Sequence, residues 1–204
     1  VLLIIFIYPS IAYKLIIYWC NFMVYIFGCK TIATGQFPEN QTYVVMANHV
    51  SFLDVFAIPS VFTGKFSAVA ASKNFKIPVY STFLRKLRVI SIDRSNRKQS
   101  IEGIKQAEKL LKEGYHIVVL PEGTRTPTGD LGEFKKGGFH LAINTKAPIL
   151  PIVTNGLFKI KPINRKTIKP GKIYIKVGDP IPSNNKTVDE LLDETRKKFQ
   201  NMIN

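Results

Sequence analysis

The sequence is short of acid. Fourteen Asp and Glu stand against twenty-nine Lys and Arg, a formal net charge of +15 over 204 residues. That imbalance points to an anionic partner: nucleic acid, an acidic membrane surface or a phosphorylated substrate. Cysteine is scarce too. Cys20 and Cys29 cannot build a disulfide framework and have no zinc-type spacing, so both read as small apolar fillers. There is no Gly-rich nucleotide loop and no G-x-S-x-G nucleophile elbow. No uncharged run near the N-terminus reaches the roughly 20 residues that a spanning helix needs. Lys14 divides residues 1–29 into uncharged runs of 13 and 15. No basic stretch precedes the first run, which argues against a cleaved signal peptide. The chain opens on Val, so residues upstream are an open expectation.

Apolar residues make up 46% of the chain, which excludes a disordered or fibrous protein. The length suits one domain with a short appendage. Residues 1–30 are expected to be that appendage, an apolar helical membrane element, with residues 40–204 as the globular domain. Pro9 disfavours one unbroken helix through the appendage. Three readings stay open: a tilted span from about Ile11 to Phe27, an apolar hairpin lying in one leaflet, or a buried core helix. Tyr8, Tyr13, Tyr18, Trp19 and Tyr25 favour a membrane interface, where such rings partition. The basic excess lies beyond this segment: residues 41–100 carry +7 and residues 151–204 carry +6, on both sides of a near-neutral middle.

The rest of the chain alternates strand-like and helix-like patterns. Thr42–Ala47, Phe66–Ala71, Val89–Ile92, His116–Leu120 and Ile149–Val153 are short apolar runs that read as buried strands, and Lys172–Val177 alternates like an edge or half-exposed strand. Ser51–Phe62 and Gly137–Thr145 read as helices. Asn96 with Gln99 opens a helix that Gly114 ends, with Ile101, Ile104, Glu108 and Leu111 on one face. Thr187 with Glu190 opens the last helix, with Val188, Leu191, Leu192, Thr195 and Phe199 on one side. Such alternation predicts an α/β domain, a largely parallel sheet flanked by helices.

Three constellations could carry chemistry. The first is Asn48-His49-Val50-Ser51-Phe52-Leu53-Asp54, where a strand gives way to a helix. Five helical residues turn through about 500°, so His49 and Asp54 share no face if both are helical. With His49 before the helix and Asp54 one turn inside it, the chain can fold back and join them. A carboxylate on one imidazole nitrogen fixes the tautomer and stabilises the imidazolium formed when the other nitrogen takes a proton. The plainer reading makes Ser51 and Asp54 a capping pair and His49 a turn residue. The second is Leu120-Pro121-Glu122-Gly123-Thr124-Arg125, directly after a buried strand. Gly123 permits close backbone approach, Arg125 can fork two hydrogen bonds to a phosphate, and Glu122 can orient a hydroxyl or hold an arginine. Its plainer reading is a turn with a surface ion pair. The third is Ser91-Ile92-Asp93-Arg94, with Arg85, Lys86, Arg88, Arg97 and Lys98 around it, and Lys73 as a weaker member. A phosphate site and a membrane-facing basic patch fit it equally. Lys135-Lys136-Gly137-Gly138 sets a helix start beside two cations. His116 opens an apolar strand and reads as structural.

Together these blocks resemble the glycerophospholipid acyltransferase family, and within it the 1-acylglycerol-3-phosphate O-acyltransferases. The resemblance rests on Asn48-His49-x4-Asp54, Ile92-Asp93-Arg94, Pro121-Glu122-Gly123-Thr124-Arg125 and Ala147-Pro148-Ile149-Leu150-Pro151-Ile152, in that order, with Phe134-Lys135-Lys136-Gly137 between the last two. It covers about residues 40 to 155. The chain departs from the family in carrying Arg88 where a Gly usually precedes the strand, Leu120 where Phe is usual, and Asn155 before Gly156.

The resemblance implies transfer of a fatty acyl group from acyl-CoA or acyl-carrier protein to the sn-2 hydroxyl of lysophosphatidate, giving phosphatidate. His49 would be general base and Asp54 its orienting partner. Arg94 and Arg125 would clamp the acceptor phosphate, Glu122, Gly123 and Thr124 would shape its glycerol site, and Lys73 would assist. No metal or other cofactor is implied. Anionic lipid is the further partner, and the cytoplasmic face of a membrane, the bacterial inner membrane, the expected place. Within the class, glycerol 3-phosphate or another lysolipid is the alternative acceptor. Outside it, a non-catalytic basic membrane module is the alternative. Nucleic-acid binding is not expected, because residues 85–98 hold no aromatic residue to stack on bases. A metal phosphohydrolase is disfavoured, since His49 and Asp54 lack further ligands at telling spacing.

Overall fold

The computed structural model describes residues 9–93 and 95–203, with side chains from residue 11 onward. Its centre is a sheet of seven strands: β1 (Cys29–Thr34), β2 (Val44–Ala47), β3 (Lys65–Ala71), β4 (Ile90–Ile92), β5 (Tyr115–Val119), β6 (Ile149–Asn155) and β7 (Gly171–Val177). The spatial order is β1-β7-β6-β2-β5-β3-β4. Strands β4, β3, β5, β2 and β6 run parallel, β7 runs against β6, and β1 runs parallel to β7. The central strands read as continuous apolar runs because helices cover both faces. β2 is buried at all four positions.

Helix α1 (Pro9–Ile26) lies on one face with the short α2 (Asp54–Ala57) and the 3₁₀ turn Ile58–Val61. Helices α4 (Arg97–Lys112), α5 (Gly137–Thr145) and α7 (Val188–Ile203) cover the other. The short α3 (Tyr80–Lys86) precedes β4, and α6 (Leu157–Ile160) follows β6. Two glycines set the approach of the second layer. A Cβ on Gly103 would lie 2.8 Å from Ile92, and one on Gly138 would lie 3.0 Å from both Met46 and Val119.

Several expectations are corrected. Ser51–Phe62 is not one helix: it opens as a turn, and Pro59, lacking an N–H, diverts the α ladder into a 3₁₀ turn. The buried stripe of α4 is Gly103, Ala107, Leu110 and Leu111, while Ile101 is exposed, because the close approach at Gly103 rotates the helix. β7 is half-exposed as expected, with Ile173 and Ile175 buried and Lys172 and Tyr174 exposed, but it lies inside the sheet rather than at its edge. β1, which the sequence reading did not anticipate, pairs with it and forms the edge.

Within the described residues α1 runs unbroken from Pro9 to Ile26, and the residues before Pro9, where the expected break would fall, lie outside the described residues. Ala12, Tyr13, Ile16, Cys20 and Val24, spaced by helical turns, sink into the core. The opposite face remains apolar and exposed at Tyr18, Trp19, Phe22, Tyr25 and Ile26. None of the described helices is long and apolar enough to cross a membrane. The first arm of the hairpin reading, residues 1–8, lies outside the described residues. α1 and β1 share the core with the residues beyond the boundary expected at 30–40.

Candidate active site

At the C-terminal ends of β2 and β5 the chain leaves the sheet in two loops that hold each other. After β2, Asn48 turns its side chain onto β6. Its Nδ2 donates to the Thr154 carbonyl at 3.0 Å, and its Oδ1 accepts from the Thr154 N–H at 2.8 Å. The side-chain amide thus continues the β2–β6 ladder for one more step and fixes where the next residue, His49, departs.

The His49 peptide is gripped from both sides by the loop after β5. Its N–H donates to Glu122 Oε1 at 2.8 Å, and its carbonyl accepts from the Thr126 N–H at 2.9 Å. The other carboxylate oxygen of Glu122 accepts from the Gly132 N–H at 2.8 Å. Gly132 is required there, since a Cβ would lie 2.9 Å from that oxygen. Arg196 of α7 donates to the Gly132 carbonyl at 2.6 Å and so pins the far side of the same loop. Gly123 takes the left-handed conformation, φ 76°, that lets the chain turn sharply after β5.

The imidazole is set by Asp54. His49 Nδ1 lies 2.7 Å from Asp54 Oδ2, and the same oxygen accepts the N–H groups of Val50 and Ser51 at 3.0 Å each. The chain between the two residues curls around one carboxylate oxygen, and the N-cap of α2 is Leu53, without a side-chain cap bond, rather than Ser51. Burial pushes the Asp54 pKa up, and the hydrogen bonds from His49, Ser51 and Val50 oppose that push. An oxygen already taking two N–H donors faces Nδ1 as an acceptor, so Nδ1 carries the proton and Nε2 keeps its lone pair. The His49 side chain is 20% exposed while that of Asp54 is fully buried. Burial likewise pushes the Glu122 pKa up, against the two N–H donors that favour its carboxylate.

The remaining site residues fall into three groups. Glu122 is enclosed, with both oxygens occupied by backbone N–H groups. Arg125 is half-buried, has no hydrogen bond or ion pair to the described residues, and sits one residue from the Thr126 anchor on His49. Thr124 is exposed between them. Lys73 is exposed on the 3₁₀ turn Ser72–Lys76, and among the described residues no hydrogen bond or ion pair links it to the dyad. Arg94 lies outside the described residues. Its neighbour Asp93 shapes the local turn by accepting from the N–H and hydroxyl of Ser95 at 3.0 and 2.6 Å. Lys135 and Lys136 are spent on surface pairs with Glu133 and Asp189. Sequence reasoning missed the anchoring roles of Asn48, Thr126, Gly132 and Thr154. Asn48 alone carried a signal, as the first residue of its block.

A protein-family model described as Acyltransferase matches residues 30–155. The chain belongs to the acyltransferase family. It is 31% identical over 190 residues to a chloroplastic 1-acyl-sn-glycerol-3-phosphate acyltransferase of Brassica napus, covering 91% of this chain and 54% of that protein. An uncharacterized acyltransferase of Schizosaccharomyces pombe is 34% identical over 171 residues, covering 81% and 61%. The human 1-acyl-sn-glycerol-3-phosphate acyltransferase alpha is 30% identical over 170 residues, covering 82% and 60%. The chain thus spans a little over half the length of these curated relatives. The crystal structure of the 1-acyl-sn-glycerophosphate acyltransferase PlsC from Thermotoga maritima superposes with a TM-score of 0.83 at 26% identity, covering 93% of this chain and 77% of that one. The family model spans the dyad and both of its supporting loops.

Proposed function

We propose that this acyltransferase-family chain moves a fatty acyl group from a thioester, acyl-CoA or acyl-carrier protein, to the sn-2 hydroxyl of 1-acylglycerol 3-phosphate, releasing the thiol and phosphatidate. The observation that carries the reading is the dyad. A half-buried imidazole is held by a buried carboxylate at 2.7 Å, and its Nε2 is hydrogen-bonded to none of the described residues. Nε2 takes the hydroxyl proton as the oxygen attacks the thioester carbonyl, and Asp54 stabilises the imidazolium. When the tetrahedral adduct collapses, the C–S bond breaks and the proton passes to the departing thiolate. No covalent acyl-enzyme is required. Similarity to relatives named for the 1-acyl-sn-glycerol-3-phosphate acceptor supports the substrate class.

The proposed acceptor clamp is Arg125, a guanidinium with no hydrogen bond or ion pair to the described residues, joined by Arg94 from the third constellation. Gly123 and Thr124 would line the glycerol moiety. Glu122 is proposed as a positioning residue, since its two oxygens serve the His49 and Gly132 N–H groups. The apolar outer face of α1 is proposed to rest on the membrane that supplies the lipid acceptor, with the basic surface toward anionic headgroups on the cytoplasmic side.

The test is product analysis by mass spectrometry. Purified protein receives palmitoyl-CoA or palmitoyl-carrier protein with lysophosphatidate, glycerol 3-phosphate or lysophosphatidylcholine in turn. Phosphatidate from the first acceptor alone supports the reading. Product only from another acceptor corrects the substrate, and no acylated product with any pair contradicts acyl transfer.

A further inference from the structure

The stretch Ile77-Pro78-Val79 joins the 3₁₀ turn Ser72–Lys76 to α3 and projects from the fold. Val79 is 85% exposed and Ile77 is 52% exposed, the most accessible apolar side chains beyond α1. Val79 also has φ 63°. A β-branched residue is a poor choice there, because with ψ −54° the conformation is one that glycine alone adopts without strain. A bulky apolar side chain at a strained, solvent-facing position serves neither the core nor the local backbone. The tip is nevertheless well built. The N–H groups of Ser81 and Phe83 donate to the Ile77 and Val79 carbonyls at 2.9 and 3.1 Å, so the tip is continuous with the first turn of α3.

That turn ties the tip to the apolar face of α1. Phe83 lies 6.1 Å from Trp19, ring to ring, and Trp19 lies 5.5 Å from Phe56, which in turn meets Phe52 of the His49–Asp54 loop at 5.9 Å. Phe52 and Val55 are themselves about half exposed. One apolar surface therefore runs from α1 past the loop that carries the dyad to the 77–79 tip. Lys73 and Lys76 precede the tip, both exposed, and three-residue spacing on a 3₁₀ turn sets them on one side. Apolar residues edged by cations match the boundary between acyl chains and anionic headgroups rather than a soluble, uncharged partner.

We infer that the Ile77–Val79 tip is a second membrane anchor, inserting beside α1 into a leaflet that contains anionic lipid, with Lys73 and Lys76 on the headgroup phosphates. Two contacts fix how the domain rolls on the bilayer, where one helix alone leaves rotation about its axis free. The roll set this way turns Phe52, and with it the His49 loop, toward the lipid acceptor. This inference rests on the membrane docking proposed above and gives Lys73 a headgroup in place of the acyl acceptor.

The test uses the full chain and vesicles of phosphatidylcholine with or without phosphatidylglycerol. With folding checked by circular dichroism, Val79→Asn removes the apolar side chain from the tip. It and Ile77→Ser are each expected to lower the partition coefficient about tenfold. The single tryptophan, Trp19, reports α1 separately, and its emission should still shift to the blue in both variants at saturating vesicles. Lys73→Gln with Lys76→Gln should cost about fivefold per lysine on phosphatidylglycerol and nothing on phosphatidylcholine alone. Turnover of a short-chain acceptor dissolved as monomer should match wild type in Val79→Asn and Ile77→Ser. Unchanged partitioning in both tip variants overturns the inference. So does a wild-type dimer that the tip variants dissolve, which would give the tip to a second copy. Tip-dependent binding by a protein without acyl transfer would keep the anchor and remove the proposed activity, and the reverse result would do the opposite.

Discussion

The two ends of the parallel sheet each hold a histidine, and their surroundings are opposites. His49 follows β2 at the C-terminal end, half-buried, with a carboxylate on Nδ1 and both sides of its peptide anchored. His116 opens β5 at the N-terminal end, 6% exposed, stacked on Tyr43 and edged by Phe37. Its Nδ1 accepts the Tyr43 N–H at 3.2 Å, and burial pulls its pKa down to about 4. One imidazole is supplied with a counter-charge and an opening; the other is denied both. Both rings are fixed, so the base proposed at His49 rests instead on the buried carboxylate behind its ring and the access in front of it. The same division extends along the sheet. The C-terminal end spends buried polar groups on holding loops, and the N-terminal end spends aromatic rings and surface pairs on holding the core.

Substitutions at the C-terminal end should change rate far more than stability, and those at the N-terminal end should do the reverse. The largest effect is expected for Asp54→Asn and His49→Ala. The first lets the imidazole take the wrong tautomer, which in a comparable triad costs on the order of 10⁴ in turnover. The second removes the base, about 10² to 10⁴. Steady-state kinetics beside circular dichroism checks both, and an unfolded His49→Ala would break the contrast. Glu122→Gln keeps one acceptor oxygen and sets an N–H donor against Gly132 or His49. It should lower kcat about tenfold or more while leaving the acceptor KM near wild type, because its work is positioning. A rise confined to the acceptor KM would instead make Glu122 a substrate ligand.

His116 supplies the matching prediction at the other end. Its folded pKa lies below the ordinary 6.5, so its stabilising neutral form is fully available above about pH 6.5. As pH falls toward 4 the unfolded chain takes up the proton first, and unfolding free energy should drop by up to about 3 kcal/mol across that window. His116→Phe should start lower, since the Tyr43 N–H loses its acceptor, and should vary less with pH. Urea unfolding between pH 4 and 7 measures it. The smallest effect is expected at Arg88, which holds φ 57° and pairs with Glu113 over the Tyr115 ring. Arg88→Gly gains about 1 kcal/mol of relieved backbone and gives up a half-exposed pair worth up to about 1 kcal/mol. The melting midpoint should move little.

Arg88 also shows how far the sequence could be read. The family usually carries a Gly there, and Arg88 takes a left-handed φ of 57° that the motif comparison did not foresee. The parallel core strands, α5, the Asn96 cap and the Thr187–Glu190 start were legible because each depends on local pattern: apolar runs, a cap residue, a Gly stop. The approach of His49 to Asp54 was legible as a possibility of spacing. Three things were not. β1 begins where the expected membrane element ends and runs on into residues 31–34, which carried no strand reading, and only its partner β7, some 140 residues away, makes it a strand. The rotation of α4 depends on tertiary contact at Gly103. The clamp on His49 joins residues 48–49 to residues 122, 126, 132 and 154, and no local pattern encodes a hydrogen bond across that separation.

The central claim is that His49 activates the acceptor hydroxyl for direct attack on the thioester. Thiol release from palmitoyl-CoA or palmitoyl-carrier protein, followed with and without lysophosphatidate in wild type and His49→Ala, tests it most directly. Release that requires the acceptor and falls by at least about 10² in a folded His49→Ala is the predicted result. Release that proceeds equally without acceptor, or that survives in His49→Ala, would contradict it.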